Sequence, residues 1–507
     1  TQAASRTPVP AVEVFSAVMG FTDFICRTWD SLWRQQGFEA CDGIRALSLL
    51  AVLTSHSISL LGSQEIVLKF IEQKSVSTVA FVLDTGEIGV DFFLVLSGFL
   101  IGGSMMNEVG KTHAIAWGKF YMRRLFRIVP AYFATILLTI VQEGRQGACW
   151  QDGWGWKNIL FINNFQPRCL THSWSIALEM QLYLLTPPIF MLLACLKSKW
   201  PGLPSVRSGA MAVCVLLYFL SYALRLYFVL ANPEPPAPMD KQFYNQTQYR
   251  YSAYAAGVIV GIIVNGSDNQ VSKSANTGAF ANWAMLVVSL AVVAVVIATG
   301  GGDADLEATM YYGADPTQKT QKMDGLWYRL QVALQRPLLD LAAACLTWLC
   351  VSGRAPRLAR FLGAKVWRPL AALSYSCYLV QFIAINLVGT PLYRIVGLDK
   401  TTSQMGRIVI LLVGPLVHFI FTLPFGLILF SLVERPGILL GKRAISAMSA
   451  AVKPRDDLRE RTPDEIEGTG DDIESQGSTA DSQTPSQDGT AAHEVCQTKR
   501  QDITSTQ

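Results

Sequence analysis

Charged residues are scarce in this chain, whereas hydrophobic residues are abundant. Only 16% of its 507 residues are Asp, Glu, Lys or Arg, and 51% are hydrophobic. The mean hydropathy is +0.30. Soluble globular domains carry about 25% charged residues and rarely reach a positive mean hydropathy. The shortage of charge therefore excludes the ordinary soluble classes and indicates a polytopic membrane protein.

A cleavable signal peptide is also lacking near the beginning of the sequence. Residues 13–36 instead mix spaced apolar and aromatic positions with charges, a pattern typical of a helix that lies on the membrane surface. From about residue 452 the chain becomes polar and loses apolar periodicity, which predicts disorder. We expect three regions: an amphipathic interfacial segment at 1–37, a transmembrane domain at 38–436 and a disordered cytoplasmic tail at 437–507.

Long apolar runs fill the middle of the sequence. A helix needs roughly 17 to 25 predominantly apolar residues to span a bilayer. Ten such cores are predicted, at 44–61, 88–106, 128–141, 174–196, 209–230, 251–264, 281–298, 337–351, 370–389 and 408–433. The cores that begin at 128, 251 and 337 are short, and we expect them to extend into flanking residues. The sequence therefore predicts an all-α, polytopic transmembrane bundle of about ten helices.

Positive charge is distributed unequally among the predicted loops. Lysine and arginine accumulate in short cytoplasmic loops. Two loops are rich in them, and their members are Lys111, Lys119, Arg123, Arg124 and Arg127 in one and Arg354, Arg357, Arg360, Lys365 and Arg368 in the other. With ten spans, both termini are then predicted to be cytoplasmic. The loops predicted on the opposite side are 62–87, 142–173, 231–250, 299–336 and 390–407.

Two features of the predicted outer loops agree with this orientation. Asn245-Gln246-Thr247 is an N-glycosylation acceptor sequence, which predicts a glycan on Asn245. Cys149 and Cys169 share the loop at 142–173, where an oxidising compartment allows a disulfide. Two unpaired thiols in a short loop are the alternative.

Arg45 and His56 lie on one face of the first predicted helix. An ionisable group at membrane depth costs several kcal/mol and is by default functional. The eleven-residue separation corresponds to a rotation of about 1100°, a net offset of ~20°, and to a rise of ~16 Å. Arg45 is thus expected at the cytoplasmic mouth, with His56 about three turns deeper. A satisfied packing histidine is the alternative interpretation.

Arg124 and Arg127 are spaced one helical turn apart in "FYMRRLFRIVPAYF", close to the predicted cytoplasmic face. Guanidinium groups at this spacing can bind a pyrophosphate or a nucleotide phosphate through paired hydrogen bonds. Ordinary positive-inside anchoring of the helix explains the same residues equally well. The residues alone leave both interpretations open.

Seven segments together resemble the acyltransferase-3 family of membrane acyltransferases. They occur in family order from about residue 40 to 436 and read "DGIRALSLLAVLTSH", "GVDFFLVLSGFLI", "FYMRRLFRIVPAY", "HSWSIALEMQLYLLTPPI", "RYSAYAAGVIVGIIV", "LSYSCYLVQ" and "VERP". The variant "MQLYLLTP" is similar to the eukaryotic branch, which contains the nose-resistant-to-fluoxetine-like proteins. The resemblance implies transfer of an acyl group, commonly acetyl from acetyl-CoA, to a hydroxyl of a glycan, lipid or other small molecule.

The resemblance also implies roles for individual residues. The arginine-to-histidine motif corresponds to Arg45 and His56, and the paired-arginine motif corresponds to Arg124 and Arg127. Asp91 matches the acidic position of the second helix and is expected to orient an imidazole or an arginine through a hydrogen bond. The neighbouring glycines Gly89, Gly98, Gly102 and Gly103 are expected to serve helix packing.

Helix four and the segment "LSYSCYLVQ" carry further family positions. Glu179, with Trp174 and Tyr183 nearby, is a second intramembrane acid and a candidate catalytic residue. Gln381 stands where the family often has histidine. A glutamine can form hydrogen bonds but cannot titrate near neutrality, so a second proton carrier is expected to be missing. His172 and His418 are not obvious substitutes.

We expect a membrane O-acyltransferase in which Arg45, Arg124 and Arg127 hold the phosphates of acyl-CoA and His56 acts as the general base. A ping-pong route with His56 itself acylated is a variant. Acyl-CoA is expected as a substrate, with no permanently bound cofactor, metal or nucleic acid. A proton-coupled transporter or solute-binding membrane protein is the main alternative, although no inverted repeats are evident. A non-catalytic scaffold is the third.

Overall fold

The computed structural model describes residues 27–34, 38–62, 82–83, 85–112, 116–151, 153, 155–231, 244–265, 278–299, 326–389, 391 and 404–456. Within these residues the chain is helical and contains no strand. It forms two compact units: a larger one at Leu32–Lys442, and a smaller one whose described parts are 27–31 and 443–456. Every candidate site residue lies in the larger unit.

Ten long helices coincide with the ten predicted cores. They are α1 (Glu39–Gly62), α2 (Ile88–Thr112), α3 (Trp117–Glu143), α4 (Trp174–Lys199), α5 (Val206–Ala231), α6 (Thr247–Asn265), α7 (Ala279–Thr299), α8 (Leu326–Val351), α9 (Arg368–Ala384) and α10 (Gln404–Leu429). An eleventh helix, α11, follows at Arg435–Asp456. These helices confirm the all-α prediction. The physical reason is that a chain in lipid must satisfy its backbone hydrogen-bonding groups within each segment.

Shorter helical elements connect the long helices. Their bounds are Thr85–Glu87, Gly144–Gln146, Gly155–Ile159, Asn163–Phe165, Thr171–Ser173, Pro356–Leu362 and Lys365–Trp367. Two π-helical stretches, Ile385–Gly389 and Phe430–Glu434, follow α9 and α10. The second stretch joins α10 to α11 without a break in the helical chain.

Eight helical stretches of the described chain are long and apolar enough to cross a membrane. The chain is accordingly a multi-pass integral membrane protein. Two predicted spans, in α1 and α6, are absent from this group. Both helices carry polar residues that face the protein rather than lipid, among them Ser48 in α1 and Arg250 in α6. Hydropathy alone therefore undercounts helices that lie inside the bundle.

The helices differ in how deeply they are buried. The apolar window of α2 is 78% buried and that of the α9 span 72%, whereas the window of α7 is only 11% buried. Helix α1 packs between α2 and α9, and α2 packs most extensively on α6. Helices α1, α2, α6 and α9 thus form the interior of the bundle, and α7 presents most of its surface to lipid.

Glycines allow α2 and α6 to approach each other closely. A Cβ added at Gly98 would lie 2.1 Å from the Tyr254 carbonyl oxygen, and one at Gly257 would lie 2.0 Å from the Val95 carbonyl oxygen. Gly102 and Gly261 face the same seam. This is the small-residue packing expected between membrane helices. The structural role predicted for Gly98 and Gly102 is confirmed.

Helix α8 begins at Leu326, so the predicted outer loop at 299–336 is wrong at its carboxyl end. The apolar pattern of the sequence did not predict the amino-terminal part of α8, because that part contains Arg329 and Arg336. Both are buried, and Arg329 Nη1 donates to the Val229 carbonyl oxygen at 2.7 Å. Charged side chains with partners inside the protein do not require an aqueous loop.

The predicted boundary at 437 between bundle and disordered tail is also wrong, because α11 runs through it to Asp456. Apolar residues such as Leu439 and Met448 continue at spacings that a helix can use. The predicted tail from 457 onward and most of the predicted surface segment at 13–36 lie outside the described residues. The part of that segment at 27–32 is helical, as predicted.

The loop between α3 and α4 contains the predicted disulfide. Cys149 and Cys169 are bonded, with their Cα atoms 4.5 Å apart. Asn245 is only 5% exposed, and its carbonyl oxygen accepts a hydrogen bond from Asn164 Nδ2. Thr247 of the same acceptor sequence donates to Gln181 at 2.6 Å. The Asn245 side chain would have to leave this buried position to carry a glycan, and the modification stays a prediction.

Candidate functional site

A cavity lies among helices α1, α2, α3, α4 and α9. Its polar lining includes Arg45, Arg124, Arg127, Glu179 and Tyr183. Its apolar lining comes mainly from one face of α2, with Val90, Phe93, Leu94, Leu96 and Leu100. Four of the six residues predicted from the sequence as site residues therefore meet at one cavity.

Arg45 enters this cavity from the second turn of α1. The residue is only 8% exposed. Its Nη1 lies 3.5 Å from Asp42 Oδ1, too far for a strong ion pair, and makes no hydrogen bond to any residue that the structure describes. A buried guanidinium donor without a hydrogen bond is costly unless a ligand supplies the acceptor. This geometry favours an anionic ligand beside Arg45.

Arg124 and Arg127 reach the same cavity from α3. The spacing of three residues within the helix Trp117–Glu143 places both side chains on one face, as predicted. The Arg124 guanidinium lies over the ring of Tyr183, with its central carbon 4.9 Å from the ring centroid. The Tyr183 hydroxyl in turn shares a hydrogen bond with Ser97 of α2. The arginine is thus oriented by contacts from two other helices.

The three arginines of the cavity lining lie near the amino-terminal ends of two helices. Arg45, Arg124 and Arg127 lie within about the first three turns of α1 and α3. Val90 and Ser175, also in the lining, lie in the first turns of α2 and α4. Gly89 of α2 packs against Ser48 of α1, so Val90 lies about one turn from Arg45 along α1. We call the part of the cavity lined by the three arginines its arginine end.

His56 belongs to a neighbouring cluster rather than to the cavity lining described above. Its Nδ1 lies 2.8 Å from Gln381 Oε1 of α9. The His172 ring is 6.4 Å from the His56 ring, and the Phe382 ring packs against both, at 5.0 Å from His56 and 4.7 Å from His172. The two histidines and Gln381 form what we call the histidine cluster, together with His418.

His418 and His172 are fixed by backbone carbonyl groups. The two ring nitrogens of His418 face the carbonyl oxygens of Leu53 and Gln381, at 3.1 and 3.3 Å. His172 Nε2 faces the Leu379 carbonyl oxygen at 3.2 Å. Sequence reasoning did not identify either residue as a substitute for the histidine that Gln381 replaces. The fold brings them into the same cluster.

Tyr378 separates the cavity from the histidine cluster. Its ring lines the cavity and lies 5.5 Å from the His172 ring. Its hydroxyl donates to the His172 carbonyl oxygen and accepts from Ser175 Oγ at 2.8 Å. One tyrosine side chain thus stands between the arginines and His56. Arg45 and His56 share helix α1, as predicted, but they do not line one continuous wall.

Asp91 is surrounded by arginines and not by histidines. It is fully buried, and its two carboxylate oxygens lie 2.9 Å from Arg250 Nη2 and 2.8 Å from Arg336 Nη1. The Tyr244 ring stacks against both guanidinium groups, at 4.8 and 5.1 Å. The prediction that Asp91 orients an arginine agrees with these contacts. Its partners, however, are not the arginines of the cavity.

The comparison with known families decides the classification. The model of the family's acyltransferase domain matches residues 38–435, which is most of the chain. The chain belongs to the acyltransferase-3 family. Helices α1 to α10, the arginine-lined cavity and the histidine cluster all lie within the matched residues.

Several curated proteins are similar to this chain. The nose resistant to fluoxetine protein 6 of Caenorhabditis elegans is 21% identical over 393 residues, covering 68% of this chain and 44% of that protein. The O-acetyltransferase OatA of Staphylococcus aureus is 29% identical over 168 residues, 30% of this chain and 24% of that protein. The peptidoglycan O-acetyltransferase OatA of Listeria monocytogenes is 26% identical over 167 residues, again 30% and 24%.

The chain spans less than half the length of these curated relatives. No solved structure matches it.

Sequence reasoning missed several polar residues of this acyltransferase-3 bundle. Arg225, Arg250, Arg336 and Asp340 are all buried near Asp91, and Ser252 donates to Asp340 Oδ2 at 2.6 Å. A charged residue inside an apolar helix was the available signal. Arg336 was not recognised as a charged residue inside a helix, because the predicted helix started one residue later, at 337.

Proposed function

We propose that this protein is a membrane O-acyltransferase that moves an acyl group, most simply acetyl, from acyl-CoA to a hydroxyl group. The observation that carries the proposal is the convergence of Arg45, Arg124 and Arg127 on one cavity inside the bundle. Membership of the acyltransferase-3 family supports the reaction class. The names of the bacterial relatives, O-acetyltransferase and peptidoglycan O-acetyltransferase, support a hydroxyl as the acceptor.

The arginine end of the cavity suits the phosphates of the donor. Guanidinium groups bind phosphate oxygens through charge-assisted, often paired hydrogen bonds. Within the described residues Arg45 Nη1 has no hydrogen bond, so it can donate one to a phosphate oxygen. The aliphatic face of α2 next to the arginines can contact the apolar part of a donor arm. This chemistry favours a phosphorylated thioester such as acyl-CoA over an uncharged acyl donor.

His56 is the proposed general base. It lies about 16 Å beyond Arg45 along α1, so a donor held at its phosphates has to extend inward before its thioester reaches the imidazole. The base removes the hydroxyl proton as the acceptor oxygen attacks the acyl carbon, and the carbon–sulfur bond then breaks. The side chain of Tyr378 has to rotate before the thioester of the donor can reach His56. A route through an acylated His56 uses the same residues.

Loop charge and the disulfide support one orientation. The loops rich in arginine and lysine are proposed to be cytoplasmic, together with both termini. The Cys149–Cys169 disulfide then lies on the opposite side, where disulfides form and persist. The arginine end of the cavity faces the cytoplasm, which contains acyl-CoA, and the acceptor hydroxyl approaches from the other side.

A kinetic comparison of variants tests this proposal. Arg124→Ala and Arg127→Ala each remove a charge-assisted phosphate contact worth about 1.5 to 3 kcal/mol, present both before and during the reaction. Each should raise the KM for acyl-CoA roughly 10- to 100-fold with kcat nearly unchanged. His56→Ala should lower kcat about 10²- to 10⁴-fold and leave donor binding intact. The assay uses purified protein in nanodiscs with radiolabelled acetyl-CoA and a panel of hydroxyl acceptors.

Arg123→Ala is the matched control, since Arg123 carries the same charge on the same helix but is exposed and lies outside the cavity lining. Its KM and kcat should equal those of the wild-type protein. The proposal is wrong if His56→Ala retains full transfer activity. It is also wrong if no acyl-CoA binds the wild-type protein and the protein instead moves a solute across liposomes.

A further inference from the structure

The contact between His56 and Gln381 decides which nitrogen of the imidazole carries the proton. A neutral imidazole has one N–H donor and one lone-pair acceptor. His56 Nδ1 lies 2.8 Å from Gln381 Oε1, and an amide oxygen can only accept. His56 must therefore donate from Nδ1. Its Nε2 then carries the lone pair, and within the described residues this atom has no hydrogen-bond partner.

The orientation of the Gln381 amide is itself fixed. Gln381 Nε2 donates to the Tyr378 carbonyl oxygen at 2.9 Å. The opposite orientation could still pair with His56, by donating to an unprotonated Nδ1, but it would place two oxygens against each other at Tyr378. Gln381 is fully buried, so water cannot compensate for the lost hydrogen bond to Tyr378. One amide orientation is consequently favoured, and with it one tautomer of His56.

His418 lies between the two helices that carry His56 and Gln381. It connects the Leu53 carbonyl oxygen of α1 to the Gln381 carbonyl oxygen of α9. Leu53 precedes His56 by three residues, which places it in the same turn of α1. A neutral imidazole has one N–H, so His418 donates to one of these carbonyl oxygens and packs against the other, between the two helices. Such support is what keeps a hydrogen bond at a site from loosening.

We propose that Gln381 is a positioning residue that holds His56 as the Nδ1–H tautomer, so that Nε2 is the reacting base. This inference rests on the proposed O-acyltransferase function, but the tautomer is a property of the resting protein. Gln381 stands at a position where the family often has histidine, and this inference gives it a role as the acceptor of the His56 Nδ1–H hydrogen bond.

The reaction balances with this assignment. Nε2 takes the proton of the acceptor hydroxyl while the acceptor oxygen bonds to the acyl carbon, and the imidazole becomes a cation. The carbon–sulfur bond breaks, and the departing thiolate receives the proton from Nε2–H. Gln381 accepts the Nδ1–H hydrogen bond throughout and takes up no proton, because an amide oxygen is not basic near neutrality. The products are an ester and a thiol, with the imidazole neutral again.

The tautomer is measured directly by ¹⁵N NMR of histidine-labelled, full-length protein in nanodiscs, without donor or acceptor. The chain has five histidines, and a His56→Gln sample assigns the His56 signals. Wild-type His56 should show a protonated Nδ1 and an unprotonated Nε2. Gln381→Leu removes the acceptor and should shift the population toward Nε2–H. Gln381→Glu keeps an acceptor oxygen at this position and should retain Nδ1–H.

The kinetic readout separates positioning from general damage. Gln381→Leu should lower kcat by about tenfold or more, within the roughly 10²–10⁴-fold that a general base supplies, and leave the KM for the donor unchanged. Gln381→Glu should recover most of kcat. Gln335→Leu is the matched control: Gln335 is also buried in a helix, but neither atom of its amide has a hydrogen bond. Both its kcat and its His56 spectrum should match the wild type.

Two results would overturn this inference. One is a wild-type spectrum with the proton on Nε2, which needs no variant to fold. The other is an unchanged tautomer and unchanged kcat in folded Gln381→Leu protein. If Nδ1–H is present and depends on Gln381 while no sample transfers acyl groups, the proposed function fails and the tautomer assignment stands.

Discussion

At the scale of single residues, the deepest burial of charge occurs around Asp91 and not around the proposed base. Asp91 bridges Arg250 and Arg336, which enter from α6 and α8, whereas Asp91 belongs to α2. All three residues are at most 2% exposed. Removing one member of a buried ion pair leaves the other charge without compensation, at a cost of about 3–5 kcal/mol. These contacts point to a role in holding three helices together.

Asp91→Asn should therefore lower the stability of the folded protein by about 3–5 kcal/mol, because two buried guanidinium groups lose their carboxylate. Thermal unfolding in nanodiscs, followed by intrinsic fluorescence, measures the change. Glu143→Gln is the control, since Glu143 is exposed at the end of α3 and its neutralisation should have little effect. A variant of normal stability without activity would instead support a direct role of Asp91 in the reaction, beyond the orienting role that the family resemblance implied.

At the scale of secondary-structure elements, the seam between α2 and α6 depends on glycines. Gly98 and Gly102 of α2 face Tyr254 and Val258 of α6, and added Cβ atoms would come within 2.8 Å of backbone oxygens. Both helices form the interior of the bundle. Helix α2 also supplies the apolar wall of the cavity and Ser97, which orients Tyr183. A shift of this seam would therefore displace the cavity as well.

Gly98→Ala should destabilise the protein by about 1–3 kcal/mol, because backbone has to move to admit the methyl group. Gly110→Ala is a matched control on the same helix, where an added Cβ meets nothing within 4 Å. That change should be neutral or stabilise slightly, since alanine favours a helix. Unfolding temperatures of the two variants in one lipid composition give the comparison. Equal effects would show that close approach of the helices is not needed.

At the scale of the whole molecule, the orientation in the membrane decides which substrate meets which end of the cavity. Lys and Arg in two loops and the disulfide loop support the same assignment. The buried Asn245 is a poor reporter of sidedness, because a reagent cannot reach it in the folded protein. Exposed positions in described loops are better suited. Gln151 lies between α3 and α4, and Ser205 lies between α4 and α5.

Gln151→Cys should react with a membrane-impermeant maleimide on intact cells, whereas Ser205→Cys should react only after permeabilisation. Both positions are exposed, so a difference in labelling reports the side of the membrane and not burial. The parent protein, which contains the exposed Cys195, sets the background. The reverse pattern would invert the orientation and place the arginine end of the cavity outside the cytoplasm.

The sequence by itself determined the helices and part of the site. All ten apolar cores are helical because a lipid environment leaves the backbone no other local solution. Arg124 and Arg127 were found because one helical turn relates them, and Arg45 and His56 because they share a helix. Residues of the candidate site that are related by helical periodicity could therefore be predicted.

Only the tertiary structure decided the partners of these residues. His56 meets Gln381 across 325 residues of chain, and Asp91 meets Arg336 across 245. Contacts over such separations depend on which helices pack together. The spacing of residues within one helix does not predict that packing. The same limit explains the missed start of α8 and the burial of Asn245. Hydropathy scores a polar residue as if it faced water or lipid, whereas its true environment is the set of side chains that the packed bundle brings to it.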